Sequence, residues 1–523
     1  MRVLYPYDLE WMEGGMLIHG LRVMSGEGIY VQPSSDFIPF IYPPLYSWIL
    51  GIAGWMGHLD YAMGRSISLV TTLIAGAALI RSMRFEGASW GMSFASAAIF
   101  LSLYNETGSF YDLVRADGCL IALLSWSMLS VRQNKPILGG LLLWVAFLTK
   151  HNAAIFGVPA LWWLWTTKRR SSAIRFSVSS IVPALISIVL LQWHTNGYFL
   201  TYLLGVPAKH PFVTQRFMWL SFKELIDGVW LGALLAGLSS LSWLYSKYGW
   251  RSTVFKLALI GFVISICAYL YLSFTRPIPT ILNWHRDVTI CIVAAIMWLG
   301  VCAYTVPLWN LPRTEGQRFW FWTGGLALLF SAIMRGHHGG YMNVLIPGGW
   351  FLSLWMGLLW QYWADRVQPN INLGLTALMC LMLWNGKWEL ERYAPSENDY
   401  KAGEKLIAKL KEIEGPIFAP HFPWYPVMAG HPPTTHLISL WDIDHEGGVL
   451  YDDVQKIKAD IHNYRFNAVL APSSRYDYGV MKKYTVRESL RLPGHGLMPK
   501  TGWRVRPSLL MFPKGSTPSE TAP

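Results

Sequence analysis
Three acids stand within six residues near the start of the chain, in the stretch Tyr7-Asp8-Leu9-Glu10-Trp11-Met12-Glu13. A carboxylate within hydrogen-bond reach of a hydroxyl can take its proton, so Asp8, Glu10 and Glu13 are candidates for general-base work. On a helix Glu10 and Glu13 share a face while Asp8 and Glu10 diverge; in a loop any two of the three can converge. A second acidic stretch, Phe110-Tyr111-Asp112-Leu113-Val114-Arg115-Ala116-Asp117-Gly118, precedes an apolar run. Asp112 and Arg115 either pair to anchor a helix start or face a substrate, and Asp117 equally suits a helix cap. The plain alternative for both stretches is a charged collar beside membrane helices.

Cations form the third group: Arg22, Lys150-His151-Asn152, Lys209-His210, Arg216, Arg276, His285-Arg286, and Arg335-Gly336-His337-His338-Gly339-Gly340 with Asn343 close behind. Fixed cations stabilise the charge that develops on a departing phosphate. That makes Arg115, Lys150, His151, Arg335, His337 and Asn343, with Glu13 and Asp117 beside them, candidates for substrate binding. Acidic lipid headgroups are the other partner the cations suit. His337 and His338 are neighbours whose side chains point apart, so no metal ligands are assigned.

The elements that must position these groups are apolar. Of 523 residues 53% are hydrophobic, 15% aromatic and only 14% charged, at mean hydropathy +0.30. A soluble domain averages about 25% charged residues, which argues against a water-soluble enzyme. The 28 Trp and 25 Tyr suit the bilayer–water boundary. The net charge of +12 is scattered in short clusters between apolar runs, so nucleic acid is not an expected partner. All five cysteines (Cys119, Cys267, Cys291, Cys302, Cys380) lie in apolar stretches without metal-ligand spacing.

Apolar runs predict an α-helical polytopic membrane protein with twelve spans, near 66–80, 89–104, 118–131, 137–149, 153–165, 176–193, 225–245, 254–273, 287–308, 319–334, 344–362 and 371–386. The clusters Arg81/Arg84, Arg132/Lys135, Lys168–Arg170/Arg175, Lys247/Arg251/Lys256, Arg313/Arg318 and Arg366 fall in every second loop, which places those loops in the cytoplasm. The division that follows is an extracytoplasmic catalytic loop with interfacial helices over 1–64, a transmembrane domain over 65–390, and an extracytoplasmic α/β domain over 395–515. A disordered tail over 516–523 completes it. In the α/β domain, helices are expected at 401–414 and 451–464 and strands at 416–420 and 467–471, with Asp442, Asp444, Asp452 and Asp453 as solvated surface. An outer segment starting at Met1 has no preceding span, so a first helix upstream is expected, which would make thirteen; the alternative is a short outer N-terminal segment that crosses unaided.

Several of these features together resemble a known family. Asp8 and Glu10 in an outer first loop, Gly28/Tyr30, Tyr42-Pro43-Pro44-Leu45, Arg65, the Asp112–Asp117 loop, Thr149-Lys150 and Asn343–Pro347 look like the C superfamily of membrane glycosyltransferases. Within it the chain is most similar to glycosyltransferase family 39, the dolichyl-phosphate-mannose-protein mannosyltransferase-like group, and to aminoarabinose transferases. The resemblance implies an inverting enzyme of the inner membrane that moves a sugar from a polyprenyl-phosphate donor to a hydroxyl acceptor at the outer face. It implies a base at Asp8 or Glu10, an acceptor-orienting or base-holding acid at Asp112, and phosphate contacts from Lys150 and Arg335. The two first-loop acids are adjacent in many relatives and separated by Leu9 here, which leaves the base open between them. Some relatives use a divalent cation and others do not, which leaves a divalent cation open here, with no metal ligand assigned.

Two other classes compete. A flippase or other transporter of lipid-linked sugars would carry ionisable residues at mid-span within inverted repeats; the span centres here are nearly free of charge and no repeat is visible. A non-catalytic relative that binds carrier lipid would tolerate loss of the first-loop acids.

Overall fold
The computed structural model describes residues 1–221, 223–224, 241, 244–245, 248–274, 315–365, 369–385, 389–473 and 478–515. Most of the predicted span at 225–245, all of 287–308, and Arg276, His285 and Arg286 lie outside the described residues. So do Lys247, Arg313 and Arg366 of the basic clusters and the tail over 516–523.

From the N-terminus run α1 (Glu13–Met24), α2 (Leu45–Met56), α3 (Tyr61–Phe85), α4 (Trp90–Ser102), α5 (Asp117–Arg132), α6 (Pro136–Thr149), α7 (Gly157–Thr166) and α8 (Arg170–His194). After them come α9 (Thr253–Phe274), α10 (Glu315–Gly336), α11 (Ile346–Ala364) and α12 (Pro369–Asn385). By length and composition α3, α8 and the stretch Met342–Gln361 are able to cross a membrane, and α2, α4, α6 and the first half of α9 are shorter apolar helices. The chain is a polytopic helical membrane protein. On α8, Val178, Val182, Leu185, Val189 and Trp193 are all exposed, an apolar surface unsuited to water.

Polar caps set the helix starts. The Asp60 carboxylate accepts from Met63 N–H at 2.8 Å to open α3, and the Ser89 hydroxyl accepts from Met92 N–H at 3.2 Å to open α4. Glycine lets α3 and α5 approach: a Cβ on Gly118 would sit 2.7 Å from Ser68 O, and one on Gly64 would sit 2.6 Å from the Val114 side chain. The loop between α4 and α5 is pinned to α3, with the Thr72 hydroxyl donating to Tyr111 O and the Ser68 hydroxyl to Arg115 O.

The two ends of the bundle differ in chemistry. Arg132 pairs with Glu86 at 2.8 Å, the Trp320 indole donates to Glu86 at 2.9 Å, and Arg169 meets Glu315 at 3.0 Å. The α3–α4, α5–α6 and α7–α8 connections and the start of α10, all expected on one side of the membrane, therefore gather at one end. The opposite end carries the acidic loops and Lys150.

Beyond α12 stands a small α/β unit. It comprises α13 (Glu397–Lys411), β1 (Ile417–Phe418), α14 (Trp424–Met428), α15 (Leu437–Ile443), α16 (Tyr451–His462), β2 (Ala468–Ala471), β3 (Tyr484–Ser489) and β4 (Leu509–Pro513). The sheet order is β1-β2-β4-β3, with β1 and β2 parallel and the other pairs antiparallel. Both helices and both strands expected from the sequence are present. The hairpin of β3 and β4 adds to them; β3 buries little beyond Tyr484 and so shows no apolar run to mark it. Asp442 and Asp453 are buried, which corrects their reading as solvated surface. Chain-distant segments cover them: Gln32 donates to Asp453 at 3.0 Å, and His210 lies beside Asp442.

Candidate active site
The first segment is wedged between the bundle and the α/β unit. Lys500 N–H donates to Leu9 O at 2.8 Å, the Thr501 hydroxyl donates to Gly108 O at 2.6 Å, and the Ser35 hydroxyl donates to Asp460 at 2.6 Å. Trp11 packs on His436, Trp441 and Trp503 with ring centroids 4.8, 6.1 and 5.2 Å away.

The three first-loop acids take three different roles in this frame. Glu13 opens α1 and is fully buried, bound through both oxygens by Arg65 of α3 at 2.8 and 2.6 Å. It also accepts from Leu9, Glu10 and Val114 N–H groups. Arg65 directs its other hydrogen bonds to the carbonyls of Arg2, Tyr5 and Tyr7. This pair fixes the loop; it has little capacity left for a substrate.

Asp8 is buried and accepts from the Tyr61 hydroxyl at 2.9 Å and from Gly14 N–H at 3.3 Å. Its own N–H donates to the Tyr425 hydroxyl oxygen at 3.3 Å, which ties the residue to α14 of the α/β unit. Burial, reinforced by Glu13, pushes its carboxyl well above the usual range.

Glu10 lies just before α1, also buried, and faces the cations. Its Oε2 accepts from Met12 N–H at 3.2 Å and from Arg115 at 3.4 Å. Burial raises its carboxyl to about 7 against the opposing pull of Arg115. Arg115 in turn donates to the Tyr42 hydroxyl at 3.4 Å, and the Lys150 ammonium lies 5.5 Å from the centroid of the Tyr42 ring. Lys150 pairs with Asp117 at 2.5 Å, and Asn343 donates to the same carboxylate oxygen at 2.9 Å. Glu10, Arg115, Tyr42, Lys150, Asp117 and Asn343 therefore form one connected polar chain drawn from the first segment, the α4–α5 loop and the first residue of α5, the end of α6 and the turn before α11. Sequence spacing marks Tyr42 only as part of a motif, not as a member of the site.

The other candidates stand apart from that chain. Asp112 is gripped by Arg2 at 2.8 and 3.1 Å and accepts from the Tyr104 hydroxyl at 2.8 Å. Arg335 is bound through both ends of its fork by Glu224 at 2.9 and 2.8 Å and donates to Gly340 O. His151 is half-buried, with a buried Nδ1 that has no hydrogen-bond partner among the described residues. His337 packs against His210 at a centroid distance of 5.2 Å. Arg2 and Glu224, the partners of Asp112 and Arg335, carry no spacing signal that a sequence reading could use.

Glu13 and Asp112 each hold a cationic side chain through both oxygens and Glu10 faces Arg115, whereas Asp8 Oδ2 and Asp117 Oδ2 are buried without a hydrogen-bond partner among the described residues. Among the described residues no group of three His, Cys, Asp or Glu side chains is arranged to hold a metal.

No family model matches the chain, and no curated protein matches it. Two solved structures are similar to it: ArnT from Cupriavidus metallidurans in the apo state, and the same protein bound to undecaprenyl phosphate. The first has a TM-score of 0.43 at 14% identity over 95% of this chain and 92% of that chain. The second has a TM-score of 0.43 at 13% identity, over 95% and 93%.

Proposed function
We propose that this protein is an inverting glycosyltransferase that moves a sugar from a polyprenyl-phosphate carrier to a hydroxyl acceptor at the outer face of the membrane. The observation that carries the reading is the contact of Glu10, a buried carboxyl brought to about 7, with a cluster of Arg115, Tyr42 and Lys150. In the reaction Glu10 takes the acceptor proton as the acceptor oxygen bonds to the anomeric carbon. The carbon–oxygen bond to the carrier phosphate breaks on the opposite face, which inverts the centre. Arg115 and Lys150 stabilise the negative charge that builds on the leaving phosphate. Asp117 and Asn343 hold Lys150 in place, while Asp8 and Asp112 keep the loops around the base in register.

A cavity of about 650 Å³ opens between Asn105 and Gly108, Tyr341–Met342, the stretch around Tyr393 and the loop 494–504, close to Glu10, which is buried and does not line it. Its Thr501–Gly502 wall backs onto Glu10: a Cβ on Gly502 would sit 2.8 Å from Glu10 Oε1.

The test is a mass-spectrometric comparison of polyprenyl lipids from cells carrying the native chain, Glu10→Gln or Asp8→Asn at equal expression. Accumulation of one sugar-phosphate-polyprenol in Glu10→Gln supports the reading and identifies the donor. An unchanged lipid profile in both variants sinks it; accumulation in Asp8→Asn alone moves the base to Asp8.

A further inference from the structure
Three tryptophans from distant parts of the chain meet beside Glu10. Trp11 precedes α1, Trp441 belongs to α15, and Trp503 lies in the connection between β3 and β4. Trp503 stands edge to face with Trp11 at a centroid distance of 5.2 Å and lies 5.3 Å from Trp441; Trp11 and Trp441 are 6.1 Å apart. His421 closes the group, 5.4 Å from Trp503. The rings grade from inside to outside: Trp11 is buried, Trp441 is half-buried, and Trp503 is 42% exposed.

A single exposed indole needs no explanation, but this one continues a cluster of rings and adjoins the candidate base. Trp11 follows Glu10 directly, and Trp503 follows Gly502, whose Cβ position is 2.8 Å from Glu10 Oε1. The bilayer boundary also attracts tryptophan, but it gives no account of why the exposed ring is carried by the connection that covers Glu10. Among the described residues neither the Trp441 nor the Trp503 indole N–H makes a hydrogen bond. An indole offers a negative face and one N–H donor. A pyranose ring complements both: C–H groups, made slightly positive by their oxygens, line one of its faces, and hydroxyl oxygens surround its edge. A serine or threonine side chain offers a hydroxyl but no such face.

The position of the platform also says which sugar it would hold. Glu10 Oε2 faces Arg115, whereas Oε1 faces Gly502. On the transferase reading the carrier phosphate sits with Arg115 and Lys150. Inversion brings the acceptor to the anomeric carbon from the side opposite that phosphate, which is the side of Gly502 and the platform.

We propose that Trp11, Trp441 and Trp503 form a sugar-binding platform whose occupant is the acceptor, a glycan that stacks a ring on Trp503 and Trp441 while one of its hydroxyls reaches Glu10. The identity of the occupant as acceptor rests on the transferase reading; the sugar site itself does not.

Full-length protein in a detergent without a sugar headgroup is titrated with the methyl pyranosides of glucose, galactose, mannose and N-acetylglucosamine, and with a peptide containing serine and threonine. Binding is read by saturation-transfer NMR. Saturation of the C–H protons of at least one pyranoside, and none of the peptide, is expected. Trp503→Ala should weaken that binding by roughly tenfold, the worth of one aromatic face, and Trp503→Phe should keep most of it. Trp193→Ala, an exposed ring on α8, should leave it unchanged. Binding that is absent, that favours the peptide, or that is equal in native protein and Trp503→Ala overturns the platform. The occupant is decided by the polyprenyl lipid that co-purifies with Glu10→Gln and with the double variant Glu10→Gln/Trp503→Ala. Equal sugar-phosphate-polyprenol per chain is expected, because the platform holds the acceptor. Its loss in the double variant assigns the platform to the donor sugar and overturns the acceptor. Pyranoside binding that Trp503→Ala abolishes, with no lipid accumulating in Glu10→Gln cells, keeps the sugar site and removes the transferase reading together with the acceptor.

Discussion

Glu10 is governed by two opposed effects, burial that favours its neutral form and Arg115 that favours the carboxylate, and burial wins by enough to leave it near 7. A base works only when deprotonated. With Glu10 as the proposed base, its raised value predicts that activity is lost as pH falls through about 7, where an ordinary glutamate would hold its charge down to about 4.3. The expected kcat/KM therefore rises with pH along a single ionisation near 7 and levels off above it. Glu10→Gln should lower kcat by about 10²- to 10⁴-fold, the usual contribution of a positioned base, and should abolish that ionisation. A profile flat from pH 5 to 8 in the native protein would remove Glu10 from the reaction.

At the scale of elements, the loop is held by one buried pair. Glu13 at the start of α1 and Arg65 in α3 have no exposed surface, and removing one partner leaves the other charged and unpaired. Breaking such a pair costs about 3–5 kcal/mol, so Arg65→Met should sharply lower the yield of folded protein. Glu13→Gln combined with Arg65→Met removes both charges and should recover much of the melting temperature, with transfer activity still low because Leu9 and Glu10 lose their charged acceptor. A single variant that melts like the native protein would show that the pair does not fix the loop. The elements themselves are largely legible in the sequence, because apolar runs mark the helices and charge parity groups their connections. The connections grouped by parity include those that carry the Glu86–Arg132 and Glu315–Arg169 pairs at one end of the bundle. The acids of the site are visible as types at short spacing. Their division of labour is not, because Arg2, Arg65 and Glu224 reach their partners from distant parts of the chain. No local pattern encodes which acid is neutralised and which is left facing Arg115.

On the scale of the whole molecule, the α/β unit docks on the first segment through His436. Its Nδ1 accepts from Ile438 N–H at 3.0 Å, and its Nε2–H donates to Trp11 O at 3.0 Å, so both nitrogens are satisfied only in the neutral ring. Burial lowers its ionisation to about 3. The sign follows directly: between about 3 and 6.5 the unfolded histidine binds a proton that the folded one refuses, so its contribution to stability falls as pH falls. Asp8, Glu10 and Asp442, all raised by burial, titrate in the opposite sense, so the native melting curve alone does not isolate the effect. A difference does, because those carboxyls are common to both proteins. The stability advantage of native protein over His436→Gln should shrink by about 2 kcal/mol between pH 7.5 and pH 5.0, taking about 1.36 kcal/mol per pH unit below 6.5. Thermal melts of the two proteins across that range check it. An advantage that stays constant or grows toward acid would mean that the docked ring accepts the proton, and that the α/β unit is not held on the first segment by a neutral histidine.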